Sequence, residues 1–151
     1  MIIHLIAVHG NGGGAARFAP VAPHMPPDVR LHAITLPGFA GTPPDPSLQT
    51  LHDYAAYLHR LVARAQHPRI LLGTGIGGSI VLEYLQHDAR AVEGVILPAP
   101  VGARLETRGF PRLMRSRFMR AAGQWAFSSR LLRPLWRRLL FVDAARIPRA
   151  D

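Results

Sequence analysis

A chain of 151 residues, 48% hydrophobic and 18% charged with a net charge of +9, suits one domain with a real core and excludes wholesale disorder. It contains no cysteine, which excludes disulfides, thiolate metal sites and a cysteine nucleophile. No apolar run is long enough to span a bilayer, and the opening MIIHLIAVHG lacks a basic leader and a cleavage site, so a cytoplasmic address is expected.

In chain order, the apolar run 2–8 predicts a buried strand that ends at His9-Gly10. A loop, Asn11-Gly12-Gly13-Gly14, follows, and residues 15–24 predict a short helix stopped by Pro26-Pro27. Residues 29–36 alternate as a second strand, and the Gly/Pro-rich stretch from Phe39 to Pro46 is a loop. Ser47 is the expected N-cap of a helix over 48–66, with Leu51, Tyr54, Ala55, Leu58, Leu61 and Val62 on one face. Residues 69–73 predict a third strand, 77–87 a helix, and 92–97 a fourth strand. This alternation implies a parallel sheet with right-handed crossovers and helices on both faces. Ligands bind such sheets outside the carboxyl ends of the strands, where both glycine-rich loops, 10–14 and 73–78, must lie.

The composition changes near residue 100. Residues 1–100 carry six Arg and six acids, whereas 101–151 carry twelve Arg against three acids, so the whole excess of +9 is C-terminal. All eight His lie in the first hundred residues. We therefore expect a core over 1–102 and an Arg-rich helical segment over 103–151. In the latter, Leu113, Met114, Phe118, Ala122 and Trp125 suggest one amphipathic helix. Leu131, Leu132, Leu135, Trp136, Leu139 and Leu140 suggest a second, joined near Ser128-Ser129 and Pro134.

Three loop motifs follow strands in order: His9-Gly10-Asn11-Gly12-Gly13, Leu36-Pro37-Gly38-Phe39-Ala40-Gly41-Thr42 and Gly73-Thr74-Gly75-Ile76-Gly77-Gly78. In that order and spacing the chain resembles the α/β-hydrolase family, with its HG oxyanion loop, its L-P-G-x-G-x-S-like turn and its nucleophile elbow. The resemblance covers about residues 1–100 well and 101–147 loosely, as a helical cap. It implies a partial α/β-hydrolase fold whose elbow pattern, G-x-S-x-G, places the nucleophile at position 75, where this chain has Gly. It also implies oxyanion donors at the N–H groups of Asn11 and Ile76, with His9 and Gly10 shaping the loop. Thr35 stands where the family's turn usually begins with Asp. Glycine at the elbow is similar to the N-myc downstream-regulated (Ndr) proteins, regarded as non-enzymatic members.

Ser79 falls one turn into the helix and Thr74 precedes the apex, so neither is favoured as a nucleophile. No His follows His87, so the family's order of Ser, acid and His cannot be completed within these residues. His9 is expected to shape the loop rather than act as a base. His4 and His32 fall in strands, while His52, His59, His67 and His87 make no metal spacing with carboxylates, so neither metal nor cofactor is expected. Gly73 to Gly78 also fits a dinucleotide fingerprint, but it follows the third strand, and its acid, Glu93, falls at a strand start.

Three functions result: a hydrolase relative without Ser-His-Asp ester hydrolysis that holds a small apolar or acyl-like ligand; the N-terminal fragment of a longer esterase- or lipase-like hydrolase, able to self-associate through an exposed fourth strand; and a module that binds an anionic membrane or a partner through the Arg-rich segment, where Trp125, Phe127, Trp136 and Phe141 interleave with Arg. A pI near 11.6 suits polyanions, but no motif indicates specific nucleic-acid binding.

Overall fold

The computed structural model describes residues 1–101, 116–132 and 134–135. The chain divides into two units, Met1–Ala103 and Arg104–Asp151.

Four parallel strands build the first unit: β1 (Ile3–Val8), β2 (Val29–Ile34), β3 (Arg69–Gly73) and β4 (Gly94–Ile96), in the order β2-β1-β3-β4. Ile6 lies opposite His32 on one side and Leu71 on the other, so β1 is central and both its faces are buried. The β1-to-β2 connection runs one way across the sheet and the next two run the other way. Right-handed crossovers then require the segment after β1 to cover one face and α1 (Leu51–Val62) and α2 (Ile76–Asp88) to cover the opposite face. Ile6, Val8 and Leu71 accordingly pack with Leu58 and Val62 of α1 and with Ile80, Val81 and Tyr84 of α2. The expected parallel sheet flanked by helices is thus present, with α1 and α2 on one face and the short 3-10 turns Ala15–Phe18 and Ala22–His24 in the segment assigned to the other.

Two local expectations are corrected. Residues 15–24 form two 3-10 turns, Ala15–Phe18 and Ala22–His24, rather than one helix. Pro20 and Pro23 supply no N–H, and their rings clash with a continuing helix. The helix expected from 48 starts at Leu51, with Thr50 as N-cap. Thr50 forms a capping box with Asp53, whereas Ser47 is engaged by Asp45, whose Oδ1 accepts from both its N–H and its hydroxyl at 2.9 and 2.7 Å. Hydrogen bonding from Thr50 first, and from the Gln49 N–H, holds the Asp53 carboxyl below its usual range.

In the second unit, a helix α3 spans Arg117–Ser128, capped by Ser116. Its amphipathic pattern predicts an inward face, yet Phe118 and Trp125 are 78% and 68% exposed. Leu113, Met114, Trp136, Leu139, Leu140 and Phe141, on which the rest of the two-helix expectation falls, lie outside the described residues.

Candidate functional site

The strand order places a topological switch point between β1 and β3, because their connections leave in opposite directions. The loops after these two strands therefore meet. A Cβ built on Gly10 would lie 3.0 Å from the Thr74 hydroxyl and 3.2 Å from its carbonyl, so Thr74 packs directly on the Gly10 backbone and the two loops touch. The glycines two positions either side of the elbow apex are close-packed as well: Gly73 lies against the Gly77 and Gly78 backbone, and Gly77 against the Val8 and His9 carbonyls at the tip of β1.

Gly75 is the apex of the turn from β3 into α2, at φ +52 and ψ −121. That backbone is the sharp strand-to-helix turn on which a residue stands exposed, and a non-glycine residue adopts it only with strain. A Cβ there would point at the opposite loop, 3.3 Å from the Gly10 Cα and 3.8 Å from the Asn11 N. The apex is braced from behind by β4's exit, where the Val101 N–H donates to the Gly75 carbonyl at 3.0 Å. Next along the helix, the Gly77 and Gly78 N–H groups turn back on the Thr74 and Gly75 carbonyls. The N–H groups of Asn11 and Ile76 donate to no described residue. Both lie on the rim of the switch point, and Ile76 adds the positive end of the α2 dipole. The five residues expected at the site, His9, Gly10, Asn11, Gly75 and Ile76, are thus placed on two adjoining loops. The cavity beside them, of about 290 Å³, is lined by His9, Gly10, Asn11, Phe18 and Thr74. Arg17 also lines it, and no feature of the sequence had pointed to that cation.

His9 is 1% exposed and both ring nitrogens are occupied. Nε2 accepts from the Leu36 N–H at 3.0 Å, which puts the ring proton on Nδ1, 2.8 Å from the Gly10 carbonyl. A ring so engaged holds the loop after β1 against the Leu36 turn, with both nitrogens in hydrogen bonds. Thr35 also contributes: its hydroxyl accepts from the Ala15 N–H at 2.9 Å and anchors the far end of the glycine loop. Thr42 closes the Leu36 turn by donating to the Leu36 and Phe39 carbonyls.

Ser79 is buried inside α2, and Thr74 precedes the apex. Glu93 is fully engaged in the fold: one carboxylate oxygen accepts from the Arg69 N–H and the other from His67 at 2.8 Å. These bonds, the Arg69 N–H foremost, hold its carboxyl below the usual range and take it out of ribose recognition. The expectation that the helical histidines make no metal spacing with carboxylates is corrected. Glu83 and His87 are one turn apart on α2, and His52 of α1 meets them because the two helices pack side by side.

A parallel sheet with a glycine-rich strand-turn-helix elbow at its switch point defines a protein of the α/β class. The sequence profile of the alpha/beta hydrolase family matches residues 5–150, and the chain belongs to that family. It is 27% identical over 95 residues to the pimeloyl-[acyl-carrier protein] methyl ester esterase of Edwardsiella ictaluri, a match covering 63% of this chain and 35% of that protein. Among solved structures, a pyrethroid hydrolase from Sphingobium faniae JZ-2 is 28% identical with a TM-score of 0.55, over 64% of this chain and 39% of that one. The fold is also that of carboxylesterase CesB from Bacillus subtilis, at 22% identity and a TM-score of 0.60, over 68% of this chain and 36% of that one. The chain thus spans 35% to 39% of the length of these three proteins.

Proposed function

We propose that this chain is an α/β-hydrolase relative that, in this form, binds a small apolar or acyl-like molecule at a vestigial oxyanion site and does not carry out Ser-His-Asp ester hydrolysis. The observation that carries the reading is Gly75 at the apex of the elbow, where an added Cβ would face the Gly10-Asn11 loop. Glycine supplies no oxygen to attack a carbonyl, as at the elbow of Ndr-like members. The Asn11 and Ile76 N–H groups would still polarise or hold a carbonyl or carboxylate. His9 is not a substitute base, because its Nε2 is committed to Leu36.

The test is a p-nitrophenyl butyrate assay on the chain and on Gly75→Ser, with amide-resolved NMR during titration with butyrate. Neither protein should turn over the ester above background, because the introduced hydroxyl would have no base. The Asn11 and Ile76 amides should shift together on titration. Clear turnover by Gly75→Ser within these 151 residues would overturn the proposal.

Two further readings have their own observations. That the residues are the N-terminal part of a longer esterase- or lipase-like hydrolase is supported by the match to 35% of the esterase relative. The intact mass in the native cell tests it, a mass well above 16.6 kDa supporting it. Binding of the Arg-rich segment to an anionic membrane, or to a partner, is supported by Phe118 and Trp125, seven residues apart and both exposed on α3. Co-sedimentation with phosphatidylserine vesicles should fall on Trp125→Ala, and equal binding by the variant would refute it. Among the described residues, no helix is long and apolar enough to cross a membrane.

A further inference from the structure

Away from the switch point, α1 and α2 bring together three side chains that the site just described does not use. The His52 Nδ1 lies 3.5 Å from the Glu83 Oε1, and the His87 Nε2 lies 3.6 Å from the same oxygen. One ligand atom from each of the three residues falls within 4.8 Å of the others. These separations are longer than an N–H···O hydrogen bond, which runs about 2.7–3.2 Å. They match the edge of a coordination tetrahedron instead: with metal–ligand bonds of about 2.0–2.1 Å, neighbouring ligand atoms stand about 3.3–3.4 Å apart. The donor set, two imidazoles and one carboxylate, is one that zinc favours.

The arrangement rests on the fold. Glu83 and His87 are separated by one helical turn and so share a face of α2. His52 comes from the first turn of α1, whose position the capping box fixes. The His52 and His87 rings meet edge to face at 5.1 Å between centroids, an orientation that lets both present a nitrogen toward Glu83. Side-chain exposures of 64% for His52 and 56% for His87 leave the cluster open to an ion from solvent, while Glu83 is 27% exposed. A groove of about 350 Å³ between the helices is bordered by both histidines, so water or an added ligand can reach the fourth position. Arg60, the cation that lines the groove, lies over the Tyr57 ring at 5.6 Å.

We propose that His52, Glu83 and His87 form a three-ligand site for a divalent transition ion, Zn²⁺ foremost, that clamps α1 to α2. It lies on residues other than those of the oxyanion-type loops and does not depend on the reading of Gly75. Calorimetric titration of the full chain with ZnCl₂ tests it, beside His52→Ala, His87→Ala, Glu83→Gln and a control, His59→Ala. Loss of an outer partner of a metal ligand already weakens binding by about 10–100-fold, so removing a ligand should weaken it by at least about 100-fold. His59→Ala, which disrupts the neighbouring His59–Asp88 pair at 3.0 Å, should bind as wild type. Zn²⁺ should raise the melting temperature of the wild type and of His59→Ala, but not of His87→Ala. Co²⁺ should give the intense visible bands of a four-coordinate site in the wild type but in none of the three ligand variants. The two histidines are exposed, so their variants should keep the fold, and circular dichroism is the check. Binding by His52→Ala and His87→Ala as tight as that of the wild type, or no binding by the wild type below about millimolar zinc, overturns the proposal.

Discussion

Replacing Gly77 by alanine tests how tightly the elbow is seated on the sheet. The added Cβ would sit 2.4 Å from the Val8 carbonyl oxygen and 2.6 Å from that of His9, both backbone atoms. Ordinary C···O contacts begin at about 3.3 Å, so the methyl would intrude by roughly 0.9 Å. Neither carbonyl can swing aside, because Val8 accepts from the Thr74 N–H at 3.1 Å and His9 begins the loop its own ring fixes. Overpacking of this kind costs about 1–3 kcal/mol, and two backbone clashes place it near 3. Alanine recovers about 1 kcal/mol through its better helix propensity, leaving a loss of about 2 kcal/mol. For a unit of this size that is a fall of about 8–16 °C in melting temperature. Thermal melts beside Gly94→Ala provide the scale. A Cβ on Gly94 meets nothing within 4 Å, so that variant should match the wild type or gain about 0.5–1 kcal/mol. If Gly77→Ala melts within about 2 °C of the wild type, α2 is not seated on β1 as described.

Tyr84 and His32 give two pH-linked predictions. The Tyr84 hydroxyl is buried without a partner, so Tyr84→Phe should stabilise the fold by about 1 kcal/mol in urea denaturation at neutral pH. Burial, then the charge of Asp88, pushes this phenol above its ordinary value of 10.0; the unfolded chain ionises first, and the wild type should lose stability above about pH 10 more steeply than the variant. His32 stacks on His4 with their nitrogens 2.9 Å apart, and burial, then His4 and Arg30, holds its pKa below 6.5. The unfolded chain therefore takes up a proton that the folded chain refuses, and stability should fall as pH drops below about 6.5. Melts between about pH 7.5 and 5 should show a shallower slope for His32→Gln, and equal slopes would contradict the assignment.

Much of the core could be read from local pattern. The third strand ran from Arg69 to Gly73 in the sequence and does so in the structure, because Pro68 and the glycine-rich turn bound it on both sides. The start of α1 was harder. Ser47 and Thr50 both have N-cap chemistry, and what separates them is the residue three positions on, Asp53 for Thr50. In 15–24, Pro20 and Pro23 outweighed the alanines that suggested a helix. The site was legible only in its backbone. Glycines mark where chains must approach, and they placed the two loops at one edge. The engagement of His9 depends on Leu36, 27 residues away, and no local signal encodes that. The His52, Glu83 and His87 cluster likewise needed the pairing of two helices, although the one-turn spacing of Glu83 and His87 was visible in the sequence. On α3, hydrophobic periodicity located the helix without saying what its aromatic residues meet.

His9 has a mechanical consequence. A single buried ring spans two loops that follow different strands, bonded at one nitrogen to each, like a strut between two beams. What reaches it from the Leu36 turn is a backbone N–H, which does not depend on the side chain at position 36. The turn's side chains can therefore change without displacing the strut, while any change that moves its main chain is passed straight to Gly10 and Asn11. The geometry of the carboxyl edge around Gly10 is in this way set partly by a turn that does not itself line the cavity.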